Sequence, residues 1–204
     1  MDTGGKIRTG KILEQLSKLH EITLVSNVEY QKDEQYLPQI NKLCSRFIPV
    51  PWKEKKRYTV SFFMRLSLQM FSIYPVSALN DYSKTLKNIV EQEIAGGSYD
   101  LAICDFVQSA LMFDNIAEIP TLLFQHNVES IIAKRHVERS KNIISKAFWW
   151  FQWKKMFSYE KKACNSFDTV IAVSEKDKEL FLRLYRAENV KTIPTGVDLD
   201  YYAP

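Results

Sequence analysis

The chain has 204 residues, enough for one good-sized domain, or two small ones, with a buried core. Hydrophobic residues make up 46% of it and charged residues 25%, with six glycines and seven prolines, which excludes a disordered or fibrous chain. The net charge is +4, no apolar run approaches the roughly 18 residues of a spanning helix, and no signal-peptide pattern opens the sequence, so a cytoplasmic location is expected.

The opening stretch MDTGGKIRTG puts Gly4 and Gly5 directly ahead of a helical pattern, with Lys6 and Arg8 beside them. Ile7, Ile12, Leu16 and Leu19 recur at helical spacing. A glycine turn entering a helix is a phosphate-binding device, because the first helical N–H groups lack internal partners and the dipole is positive there. Such a turn ordinarily follows a strand, and none precedes it here; a flexible start is the alternative.

HEITLVSN (20–27) reads as a short buried strand and RFIPVPW (46–52) as a second extended piece, held out of helix by Pro49 and Pro51. Residues 59–74 read as a helix crowded with Phe62, Phe63, Met64, Met70 and Phe71, and 79–93 as a further helix. Gly96 and Gly97 close it, and a strand from Asp100 to Cys104 ends on Asp105. A helix over 108–117 is closed by Pro120, and TLLFQHN (121–127) is a strand with a polar end. A long helical stretch of 130–165 is expected to break near Asn142. FDTVIAVS (167–174) is a strand, Ser174 and Asp177 form a capping box opening helix 175–186, and VKTIPTG (190–196) is a last short strand.

Strands alternating with helices predict an α/β fold: a Rossmann-like, doubly wound parallel sheet with helices on both faces, read as one domain over 1–204. In such sheets ligands lie outside the carboxyl ends of the strands. Those ends present Asn27, Asp105, Gln125-His126-Asn127, Ser174 and Thr195-Gly196. Cys44, Cys104 and Cys164 are odd in number and form no CxxC pair, so reduced structural thiols and no metal site are expected.

Charge is uneven. Residues 131–162 carry nine Lys/Arg against two Glu, a local +7, and residues 52–75 carry five against one, a local +4. Two basic segments suit an anionic partner, or are simply solvated helix faces. Projected as a helix, residues 146–162 put Trp149, Trp153, Met156, Phe157 and Glu160 on a core side with Cys164. Phe148, Phe151 and Tyr159 fall towards the other side, with Lys155 and Lys162. Aromatics among lysines suit an anionic membrane surface, and the aromatic helix of 59–74 has a similar character; two ordinary helices with snorkelling lysines are the alternative. No nucleic-acid-binding motif is present, so a nucleic-acid partner is not expected.

Four stretches, in this order, resemble the N-terminal domain of a GT-B-fold glycosyltransferase of family 4 (group 1). They are DTGGKIRTGKILEQLSKLHEITLV, FQHNVESIIAKR, YEKKACNSFDTVIAVSEKD and IPTGVDLDYYAP. In the last, Thr195 stands for the usual Asn and Tyr202 for Phe. The resemblance implies a retaining enzyme that uses a nucleotide-sugar as co-substrate, with no metal or other cofactor. Its N-terminal domain holds the acceptor, and a C-terminal domain holds most of the donor.

By the same resemblance Gly4 and Gly5 pack against the donor diphosphate, and His126 contacts the transferred sugar near the reaction centre. Arg8, Asp105, Asn127 and Glu129 are candidates for the acceptor pocket or for support behind it. Asp105 could equally cap the following helix, and Asn127 and Glu129 are better read as caps. Asp168, Ser174 and Asp177 read as structural, and Asp198 as positional.

The resemblance also expects a strand ahead of the glycine turn, and a donor domain with its E-x7-E carboxylate pair after Pro204. The chain is therefore expected to be partial, truncated at both ends, and alone to transfer no sugar. The expected product is a cell-surface polysaccharide, glycolipid or glycan, made at the inner face of the membrane from a sugar or lipid-linked acceptor. A GT-B-fold epimerase relative and a non-catalytic membrane- or partner-binding module are the alternatives.

Overall fold

The structure, a computed structural model, describes residues 4–53, 59–97, 99–114, 116, 118–194 and 196. These fall into two compact units. The first holds the described residues up to Ser72, with Val76–Tyr99 and Leu111–Glu118; the second holds Ile73–Pro75, Asp100–Ala110 and those from Ile119 onward.

In the first unit, helix α1 (Gly4–Leu16) leads into strand β1 (Thr23–Val28), which pairs in parallel with β2 (Arg46–Pro51). Two short helices, α2 (Tyr30–Asp33) and α3 (Leu37–Ile40), fill the connection. The N–H groups of Arg46 and Trp52 bond to Ile22 and Val28, so the even-numbered amides of β2 face β1. Pro49 and Pro51 occupy the odd positions, which face away, so their missing N–H groups cost the ladder nothing.

Helix α4 (Val60–Met70) is capped by Thr59, whose hydroxyl accepts the Phe62 N–H. The helix expected over 79–93 is two helices, α5 (Val76–Asp81) and α6 (Lys84–Ala95). Ser83 divides them because its hydroxyl caps α6 by accepting the Leu86 N–H. Leu86, Val90 and Ile94 recur every four residues and bury one face of α6, which packs on β1. Glu93, on the same helix, receives a two-pronged bond from Arg46 at 2.7 and 3.0 Å and a 2.5 Å bond from the Tyr99 hydroxyl.

In the second unit, strands β3 (Ala102–Asp105), β4 (Thr121–Gln125), β5 (Thr169–Ala172) and β6 (Val190–Thr192) form a parallel sheet in that order. Parallel sheets flanked by helices bear out the α/β reading, although the described strands form a two-stranded and a four-stranded sheet rather than one. Burial of β4 on almost every residue is the mark of an inner parallel strand. Asp168 ties the strand starts together, accepting from the Thr121 amide at 2.8 Å and the Thr121 hydroxyl at 2.9 Å. The segment expected as a helix over 108–117 is a 3-10 helix, Val107–Phe113, entered through Phe106 at φ +68°.

Helices α7 (Glu129–Arg139) and α8 (Ile143–Ser166) pack on each other, with the break at Asn142 where the sequence puts it. The Asn142 side chain accepts from Ile144 and Ser145, so the break is a new N-cap. His136 stacks on Trp149 at 4.2 Å and Lys134 lies 5.9 Å from Trp153, so residues pair in descending order against ascending and the two helices run antiparallel. Ser174 caps α9 (Glu175–Leu180) by accepting from Asp177, and a single wide turn, Phe181–Tyr185, follows it. All three cysteines are buried free thiols.

Candidate functional site

Asp105 and Gln125 end adjacent parallel strands, and β3–β4 register pairs Asp105 with Phe124, so His126 emerges just beyond Asp105. The His126 Nε2 atom lies 2.6 Å from Asp105 Oδ1. With Asp105 ionised, that nitrogen carries the proton and donates it. Phe106 stacks on the imidazole at 3.9 Å and 13°, and Phe124 meets it edge-on at 4.8 Å. The positive φ of Phe106 is a conformation most side chains avoid, and here it turns the ring over His126. Sequence offers no signal for that turn.

The two partners are not equally accessible: the His126 side chain is 2% exposed and that of Asp105 33%. Asp105 is thus the member of the pair that solvent reaches. Beside them, the Glu129 carboxylate accepts from Gln108 and Asn127. Burial pushes its carboxyl above the usual range, and those two bonds and the neighbouring His126 pull it part of the way back.

Asn127 and Glu129 do not cap α7 as expected. The N-cap residue is Val128, which offers no side-chain acceptor. The acceptor comes instead from Glu160 on α8, whose Oε1 takes the Glu129 N–H and whose Oε2 takes the Ser130 N–H, both at 2.8 Å. Gln125 Nε2 reaches Oε1 at 3.4 Å, and the Tyr185 hydroxyl reaches Oε2 at 2.5 Å and also bonds the Ser130 hydroxyl. Glu160 is fully buried, and burial pushes its carboxyl up to about 7 against the Tyr185, Ser130 and Glu129 donors, with the nearby Glu129 charge adding to the rise. A glutamate projecting among the apolar residues of a helix was the available signal for it.

Gly4, Gly5 and Arg8 lie in the first unit. The two glycines, expected as a turn ahead of a helix, are its first residues. Their amides are among those a helix leaves without internal partners. Thr195, Asp198 and Tyr202 lie outside the described residues.

Of the surface candidates on α8, Phe151 is exposed and Phe148 half-buried against Trp149. Lys162 is exposed, whereas Lys155 is half-buried and its ammonium is pulled down by that burial. Tyr159 is not on an outer side. It is buried, donates to the Val107 carbonyl at 2.8 Å and meets Tyr74 edge-on. Lys154 sits over Trp153 at 4.7 Å and Trp150 at 5.7 Å. No group of three or more potential ligands forms a metal site among the described residues.

The family model described as Glycosyltransferase Family 4 matches residues 4–201. The chain belongs to that family. The match takes in both units of this family 4 chain, its glycine helix start, and the strand ends that carry Asp105 and His126. Among curated proteins, none matched the chain.

Proposed function

We propose that this family 4 chain is the acceptor-side domain of a retaining, nucleotide-sugar-dependent hexosyltransferase that builds a cell-surface polysaccharide, glycolipid or glycan. The observation that carries the reading is the Asp105–His126 pair, set at the carboxyl ends of adjacent parallel strands where such sheets take ligands. A carboxylate held in one orientation by a buried imidazole is suited to accepting from sugar hydroxyls. Gly4 and Gly5 would turn backbone N–H groups towards a diphosphate without a side chain in the way. A second domain would hold the donor's base and most of its diphosphate, and the acceptor falls to this one.

Saturation-transfer NMR with methyl glucoside, galactoside and mannoside tests this on the chain. Sugar-ring saturation that disappears in Asp105→Ala is expected. No saturation with any of the three, or equal saturation in the variant, overturns it.

A second property concerns location, on the cytoplasmic face of an anionic membrane. Val60, Phe63, Met64, Leu68 and Phe71 are all exposed and fall along one side of the α4 helix and its C-cap. No Asp or Glu occurs between Lys55 and Asn80. An apolar stripe in a segment without acidic charge matches a lipid surface bearing anionic headgroups. Among the described residues no helix is long and apolar enough to cross a membrane, so the contact would be peripheral.

A further inference from the structure

Helix α7 begins three residues after His126, so its cap lies within one turn of that side chain. The first N–H groups of a helix need acceptors from outside it, which usually come from the residue just before. Here they come from Glu160, thirty residues on, and the same carboxylate also receives the Gln125 side chain. Its four partners bracket His126 on both sides in sequence: Gln125 before it, and Glu129, Ser130 and the Ser130-bound Tyr185 after it. Gln125, Ser130, Glu160 and Tyr185 are each at most 1% exposed, so water does not compete for these bonds.

We infer that Glu160 is a positioning residue of the candidate site: its carboxylate clamps the 125–130 turn and thereby sets His126 against Asp105. The antiparallel pairing of α7 and α8 brings Glu160 to the start of α7, so the long helix delivers one carboxylate from beneath to a strand-end turn. Three of the four donors sit within the six-residue turn, which leaves His126 little rotational freedom. That matters because a 2.6 Å charge-assisted bond depends strongly on alignment. The inference rests on the site reading above, since positioning has a consequence only where Asp105 and His126 meet a ligand.

The test uses the whole chain at pH 8, where Glu160 is ionised, and reads the ¹⁵N signals of the His126 ring together with amide exchange at Glu129 and Ser130. Glu160→Gln replaces one acceptor oxygen with a donor facing a donor. Ser130 exchange at least ten-fold faster than in the parent chain, with a displaced His126 Nε2 signal, is expected. Asn142→Ala serves as the control for general weakening, because it removes the α8 cap and touches nothing at the turn. It should leave the His126 signal where it was. A folded Glu160→Gln chain with parental His126 ring signals overturns the inference and leaves Glu160 an ordinary remote cap.

Where Glu160→Gln does not fold, Tyr185→Phe takes its place. It removes one donor from Oε2 and keeps the ring. The His126 signal should move in the same direction by a smaller amount, and an unmoved signal overturns the inference. None of these readouts contains a sugar, so their failure is distinct from failure of the glycoside experiment.

Discussion

His126 Nε2 lies 2.6 Å from Asp105 Oδ1, and the imidazole is sealed beneath two phenyl rings while the carboxylate is partly open. A buried imidazole that loses its partner keeps the desolvation cost without the bond, about 1–3 kcal/mol. Asp105→Ala is therefore expected to destabilise the chain by about that amount, measured by urea unfolding at pH 7. Asp105→Asn should cost less, about 1 kcal/mol, because a neutral hydrogen bond replaces a charge-assisted one. Equal stability in all three chains would mean that the pair does not hold His126.

Asp168 predicts a change at the acid end. Its carboxyl is held below the usual range, first by the Thr121 amide and then by the Thr121 hydroxyl. A depressed carboxyl contributes stability above its unfolded value, near 4, and loses it as pH falls through the folded one. Asp168→Asn is expected to be less stable at neutral pH and to lose less on acidification than the parent. Parallel stability curves between pH 2 and 6 would contradict that assignment.

Glu160 predicts the opposite slope. Burial raises its carboxyl from 4.5 to about 7, so its contribution is complete below about 4.5 and is lost as pH rises through 7. The groups around it are the Gln125 amide, the Ser130 and Tyr185 hydroxyls, Cys164 and the neighbouring Glu129. Glu129 is also raised by burial and so adds to the same slope. The two hydroxyls can reverse direction, so the network accepts a proton on Glu160 without losing its shape. Between pH 5 and 8 the parent chain should lose on the order of 3 kcal/mol through Glu160. Glu160→Gln, neutral throughout, should show a much flatter profile, with Glu129 supplying what slope remains. An undiminished slope in that variant would place the titration elsewhere.

The parts of the fold that are local were legible, and those set by distant partners were not. The break at Asn142 and the Ser174 cap depend on residues within a turn of each other, and the polar ends of the strands at Asp105 and His126 stand next to their own apolar runs. Helical projection misplaced Tyr159 because α8 buries different sides along its length: no residue before Gln152 is fully buried. The helix expected at 79–93 broke because Ser83 outcompeted the apolar periodicity for the Leu86 amide. The Glu160 clamp was invisible as a role, although not as an oddity, because its meaning lies in amides thirty residues away.

The exposed face of α4 makes the last prediction. Phe71 is 91% exposed and Phe63 55%, so burying either in a bilayer interface removes considerable apolar area from water. Vesicles containing phosphatidylglycerol should sediment with the chain, and phosphatidylcholine vesicles should do so weakly. Binding should fall as salt rises, since headgroup attraction is screened within about 10 Å at 0.1 M. Phe63→Ser with Phe71→Ser should reduce co-sedimentation at least ten-fold while leaving thermal stability nearly unchanged, because neither side chain is buried. On α8, Phe151→Ser should have a smaller effect, and Phe148→Ser should act chiefly on stability because its ring packs edge-on to Trp149. Equal recovery with both vesicle types, or binding unaffected by the α4 pair, would remove the anionic membrane from the reading.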